Sequence, residues 1–239
     1  MKTTSFDHDL SAWLSAWRVW LLAALAGAGL AAAAYFIFPP AYRARASVTV
    51  DHNLEQAIPQ GSDRDLFYYL QRETEKLETV AWADATLDQV AAQVPGVTVQ
   101  SLRGGTLGLS QPKDGDWHFW AESSDPDQAQ LLAAAWAGAF VSQVRSGMDT
   151  AAQIEAAQKL LATSASADES AALVARIADL QTRSLGISPY LQVSLGQDAN
   201  LPLERAVGLG SYLFAGSALA VLLAFLYLTF FSPARPART

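Results

Sequence analysis

Two kinds of sequence alternate along this chain. Residues 19–38, VWLLAALAGAGLAAAAYFIF, and residues 206–231, AVGLGSYLFAGSALAVLLAFLYLTFF, are apolar all round and uncharged. At ~1.5 Å rise per residue the shorter run extends ~30 Å, the thickness of a bilayer core. Each is predicted to be a transmembrane helix. Between them the apolar positions are periodic. Tyr42 to Asp51 alternates and is rich in β-branched residues, which predicts a strand. Pro59, Gly61 and Ser62 mark a loop. Asp63 then stands before a long helical pattern as its start signal, with Leu66, Leu70, Leu77 and Val80 at helical spacing. A second helix is predicted over 82–94, with Leu87, Val90, Ala91 and Val94 on one face and Pro95-Gly96 ending it. Thr106 to Ser110 and Trp117 to Glu122 read as a hairpin across a linker holding Asp114-Gly115.

Asp125-Pro126 then opens a helix, Asp125 as its cap and Pro126 in its first turn. Leu131, Leu132, Ala135, Trp136, Ala139, Phe140 and Val144 form its apolar stripe. The pattern runs on to Thr163 and breaks over 164–170, where Ser166 and Glu169 have capping-box spacing. A return helix follows to about Leu185, with Leu173, Ile177 and Leu180 on one face. Tyr190 to Leu195 alternates and predicts a further strand. The expected fold class is an α+β membrane protein: two terminal transmembrane helices flank a membrane-proximal α/β domain with a helical-hairpin protrusion. The expected divisions are an N-terminal tail (1–18), the first span (19–38), the α/β domain (39–125), the protrusion (126–185), a return segment (186–205), the second span (206–231) and a C-terminal tail (232–239).

Charge supplies an orientation. The chain carries −7 overall. The segment 41–205 holds 12 basic and 21 acidic residues, whereas the tail after Phe231 has Arg235 and Arg238 and no acid. The positive-inside rule then places both tails in the cytoplasm and the acidic middle outside, in a cytoplasmic (inner) membrane. Trp13, Trp17 and Trp20 before the first span, and Tyr35 and Tyr42 at its far end, suit an interfacial belt. A cleaved leader ending near Ala31-Ala32-Ala33 is the competing reading. The apolar run continues past that point to Phe38, and Asp7 and Asp9 offset Lys2 and Arg18, which favours an uncleaved anchor. Small residues four apart, Ala23, Gly27 and Ala31 in the first span and Ala206 and Gly210 in the second, are candidate helix-packing and oligomer faces.

Little of the sequence suggests chemistry. It contains no cysteine, so disulfides and thiolate metal sites are excluded. The acidic balance argues against nucleic acid as a partner. There is no phosphate-loop, H-E-x-x-H or G-x-S-x-G motif. His8, His52 and His118 are dispersed, and a solvated turn plus a helix cap account for Asp114, Asp116, Asp125 and Asp127. No catalytic, cofactor-binding or metal-ligating residue is predicted. Trp117 and Trp120 are candidates for core packing or for stacking on sugar; three apart on a strand, they point to opposite faces.

The order of elements resembles the Wzz-type chain-length determinants, the polysaccharide co-polymerase family. The similarity rests on Pro40-x-Tyr42-x-Ala44 followed by the strand 46–50, on Glu78-Thr-Val80 with Leu87, and on the two strands leading into Asp125-Pro126-x-x-Ala129. It covers 39–144 and the C-terminal helix. The resemblance implies a non-catalytic homo-oligomeric ring in the bilayer that engages a polysaccharide polymerase or exporter and sets the length of a surface glycan such as O-antigen, capsule or exopolysaccharide. No Gly-Lys pair occurs and no tyrosine follows Tyr227, unlike members with a fused kinase and a tyrosine-rich tail. The compact size is closer to members that pair with a separate tyrosine kinase, so a membrane adaptor for such a kinase is the alternative. An unrelated membrane scaffold of similar topology is a third reading.

Overall fold

The computed structural model describes residues 17–110, 116–164 and 166–231. The fold is α+β, with one four-stranded antiparallel sheet and two helices long and apolar enough to cross a membrane. It divides into two units, one formed by both ends of the chain and one by residues 42–203. The tails with Lys2, Asp7, His8, Asp9 and Trp13, the C-terminal arginines, and the turn at Asp114 lie outside the described residues.

The unit made by the chain ends is a pair of helices. Helix α1 runs Trp17–Ile37. Its partner, the last helix, spans Leu209–Phe231 and starts later than the apolar run predicts. The reason is local hydrogen bonding. The Ala206 N–H donates to the Ala41 carbonyl at 2.9 Å, and Arg205 Nη1 donates to the Pro40 carbonyl at 2.8 Å. Residues 205 and 206 therefore lie paired along 40 and 41, and the helix begins only where Tyr212 N–H reaches back to Gly208.

In the central unit, strand β1 (Tyr42–His52) pairs antiparallel with both β3 (Asp116–Ser123) and β4 (Leu191–Gln197). Strand β2 (Leu107–Ser110) pairs with β3, giving the order β2-β3-β1-β4. Alternation sends Ala44, Ala46, Val48, Trp117, Phe119, Ala121 and Val193 to one face, where they are buried. Arg43, Arg45, His118, Trp120 and Glu122 take the opposite face.

Helices α2 (Asp63–Ala81) and α3 (Asp84–Gln93) follow β1. The residue that caps α2 is Ser62, not Asp63: its hydroxyl accepts from the Asp65 N–H while the Asp65 carboxylate accepts from the Ser62 N–H, a reciprocal box. Two short pieces were not expected, a one-turn helix at Leu54–Ala57 and another at Val99–Ser101 that runs into a π turn over Leu102–Thr106. Gly105, at φ +101°, lets the chain leave that turn for β2.

Helix α4 spans Pro126–Thr163, with the Asp125 side chain accepting from the Asp127 N–H at 3.2 Å as its cap. Its face holding Leu132, Trp136, Phe140 and Val144 is fully buried against the sheet and α3. Leu131, expected on that stripe, is 46% exposed; it points to the free side of α4 beside β4. Trp136 ties the layers together: its ring meets Phe119 edge-on at 4.9 Å, and its indole N–H donates to the Ala81 carbonyl at 2.9 Å. Helix α5, Ala167–Arg183, packs back along α4. Ser166 is its N-terminal flank, but the expected capping box is not made; the Ser170 hydroxyl donates to the Ser166 carbonyl instead. Among the described residues beyond Val144, Gly147 and Ala157 of α4 and Leu180 of α5 are buried, so the seam of the distal pair is thin. The last helix, Leu209–Phe231, is α6.

Candidate interaction surfaces

Small residues set the contact between α1 and α6. Gly27 is the one buried residue of α1. A Cβ placed on it would meet the Ala220 Cβ at 2.5 Å and run into the Gly216 carbonyl. A Cβ on Gly216 would lie 2.6 Å from the Gly27 carbonyl oxygen and collide with Ala31. The two backbones thus touch, as small residues allow between apolar helices. The Ser217 hydroxyl donates across to the Ala24 carbonyl at 3.1 Å, and the Tyr35 and Tyr212 rings meet edge-on at 5.3 Å. Contacts that pair 35 with 212 and 24 with 217 make the helices antiparallel.

The residues singled out from sequence fall differently around this crossing. Gly27 and Ala31 line it, and Ala23 lies one turn before. Gly210 faces open space and Ala206 precedes the helix, so neither belongs to the contact within the chain. Its partners on α6 are Gly216 and Ala220, which sequence reasoning passed over. They stand four apart, the same signal by which Gly27 was found.

The residues of the resemblance hold structural positions. The Pro40 carbonyl accepts from Arg205. Tyr42 opens β1 opposite Ser123. Ala44 and Ala129 are fully buried, and Asp125 and Pro126 start α4.

The central unit also carries a buried charge. Glu73 lies on the apolar face of α2 and is 3% exposed. Its Oε1 accepts from Lys76 Nζ at 2.6 Å, and its Oε2 from the Ser188 N–H at 3.3 Å. Lys76 Nζ also donates to the Gly186 carbonyl at 2.6 Å. The pair therefore fastens the segment entering β4 onto α2. Nearby, the His52 ring meets Tyr69 edge-on at 6.2 Å. Burial holds His52 below the usual imidazole range, and the Glu73 and Asp51 carboxylates oppose that shift. A second tie joins the Tyr190 hydroxyl to both Glu155 oxygens at 2.9 Å. Hydrogen bonds from Lys159 and then Tyr190 hold the Glu155 carboxyl below its ordinary value. Glu73 had a readable signal, since it lies three residues after Leu70 and four before Leu77 on the apolar stripe. The distant groups that complete the tie, Ser188 for Glu73 and Gly186 for Lys76, had none.

On the outer face of the sheet, Trp117 and Trp120 separate as alternation requires. Trp117 is buried against Phe140, with centroids 6.0 Å apart. Trp120 is half-buried, with the Arg45 and Arg43 guanidinium carbons 5.4 and 5.9 Å from its ring centre. Arg43 Nε donates to Glu122 at 2.7 Å. His118 lies next along the strand, its ring edge-on to Trp120 at 6.2 Å. Among the described residues no group of His, Asp and Glu is arranged to hold a metal ion. No protein-family model matches the chain, and no curated protein matches it.

Proposed function

We propose that the chain is a two-span protein of the cytoplasmic membrane, with both tails cytoplasmic and residues 39–205 outside. In this reading it acts without catalysis, as a ring-forming regulator of surface-polysaccharide chain length or export, in contact with a polymerase or exporter. The central unit supplies the rigid body, and the α4–α5 hairpin projects from it as a surface for neighbours.

The observation that carries the membrane part is the exposure of α1 and α6. Leu22, Leu30 and Phe36 are 66%, 75% and 72% exposed, and Phe214 and Phe230 are 78% and 72% exposed. A buried helix of a water-soluble domain would hide such residues, and a continuous apolar surface of this kind suits contact with lipid, which supports the membrane reading. An antiparallel pair of spans puts both tails on one side. The polysaccharide part is supported by the resemblance of 39–144 and by the order strand, two helices, hairpin, long helix, return strand that the central unit displays.

The test is the length profile of surface polysaccharide on a gel, from source cells with and without the gene. A collapsed or scattered distribution, restored by the intact gene, is the expected result. An unchanged profile in cells shown to express the protein overturns the regulator reading and leaves the kinase adaptor or an unrelated membrane scaffold.

A further inference from the structure

The hollow beside Trp120 has features that a merely solvated sheet face does not need. In the register of β2 and β3, Gly108 stands directly opposite Trp120. With no side chain there, a hollow of about 230 Å³ opens between the two strands and the turn before β2. Trp120, Gly108, Gly105, Thr106, Arg43 and Glu122 line it. On the other flank, Arg45 stands opposite Trp120 across β1. Among the described residues its guanidinium has no carboxylate partner, and its contact is the Trp120 ring. One wall is thus an aromatic ring, one end an arginine–carboxylate pair offering both donors and acceptors, and the floor is bare backbone.

That combination is the chemistry of carbohydrate recognition. The C–H face of a pyranose packs on an indole, and its hydroxyls need paired donors and acceptors at the rim. At about 230 Å³ the hollow is smaller than the ~300 Å³ at the low end of ligand pockets, so it fits one ring and not a whole oligosaccharide. We infer that the outer face of the sheet at Trp120 is a glycan-contact site, which seats one sugar ring of an extended chain on the indole between Gly108 and the Arg43–Glu122 pair. The uncompensated Arg45 favours a sugar with an anionic substituent at that flank. This deepens the reading above by naming the substrate class, and it rests on that reading for the source of the glycan.

The experiment titrates full-length protein in phospholipid nanodiscs, because glycoside detergents would compete. The probe is the surface polysaccharide of the source cells, cut by mild acid to oligosaccharides, and binding is read by saturation-transfer NMR. The expected dissociation constant is of order millimolar, set by the per-atom affinity of a ring with about a dozen non-hydrogen atoms. Gly108→Val fills the hollow at little cost to the fold. The Cβ it adds would meet Trp120 at 3.8 Å, an ordinary contact, in a strand that suits valine. Gly108→Val and Trp120→Ala should each weaken binding at least about tenfold, and Trp120→Phe by less. Unchanged thermal unfolding of Gly108→Val separates a blocked site from a damaged fold. No binding by the intact protein, or equal binding by a folded Gly108→Val, overturns the inference. A length profile that collapses without the gene, in the absence of oligosaccharide binding, sinks this site and leaves the proposed function standing. Binding abolished by Gly108→Val alongside an unchanged profile does the reverse.

Discussion

Replacing Lys76 by methionine tests how the return segment is held. The Glu73 side chain is 4% exposed and that of Lys76 34%, so the substitution removes the counter-charge while leaving the carboxylate inside. Breaking a buried pair by deleting one partner costs ~3–5 kcal/mol, because the remaining charge keeps its desolvation penalty. Lys76 is a third open to water, which screens the pair, so a loss of about 2–3 kcal/mol is expected for Lys76→Met. For a unit of this size that lowers the melting temperature by about 5–10 °C. The double variant Glu73→Leu, Lys76→Met removes both charges. It should recover most of the loss, falling short by ~1 kcal/mol for the Ser188 N–H left without an acceptor. The assay is thermal unfolding in nanodiscs, together with hydrogen exchange of the amides at 184–190, which should speed up in the single variant. A shift under about 2 °C for Lys76→Met, or a double variant less stable than the single, would refute the view that Glu73 is a desolvated charge dependent on its lysine.

In this cysteine-free chain, cysteines introduced at Ala24 and Ser217 should form a disulfide in the membrane. Gly216→Leu or Gly27→Leu should cut the yield several-fold while Gly210→Leu leaves it intact; equal yields would show that the helices do not cross there. Because burial lowers the His52 pKa, the unfolded chain binds the proton more readily, so stability is complete above the unfolded value of 6.5 and declines as pH falls through it. Melting curves from pH 7.5 to 5.5 should show that decline, and His52→Gln should flatten it. Trp136→Phe strands the Ala81 carbonyl in the core and leaves unfilled volume, for a loss of about 2–3 kcal/mol by denaturant titration of the solubilised protein; a change below about 0.5 kcal/mol would place that bond outside the core's essential contacts.

Much of the secondary structure was legible because periodicity is a local property. The strand at 42–52, the hairpin around Trp117 to Glu122 and the helix opening at Pro126 and ending at Thr163 each follow from alternation, helical spacing or a cap within a few residues. Errors collected where two local choices compete. Ser62 and Asp63 are both acceptable caps, and only the reciprocal bond with Asp65 decides between them. Ala206 has helical propensity and an apolar setting, yet its N–H is taken by Ala41, 165 residues earlier in the chain. Candidate surfaces were less legible. Gly27 was visible as a small residue on an apolar helix, but nothing in α1 states whether its partner is Gly210 or Gly216. That choice depends on the relative register of two helices.

Spacing along single segments was enough for the type and polarity of the main elements, for the two apolar helices, and for the split of Trp117 and Trp120 to opposite faces. Tertiary structure decided that β1 lies between β3 and β4, that Glu73 finds Lys76 and Ser188 inside the fold, and that Gly108 stands bare beside Trp120. These are pairings between residues far apart in the chain. Their energies come from desolvation and close contact, which no local pattern encodes and which arise only when the segments meet.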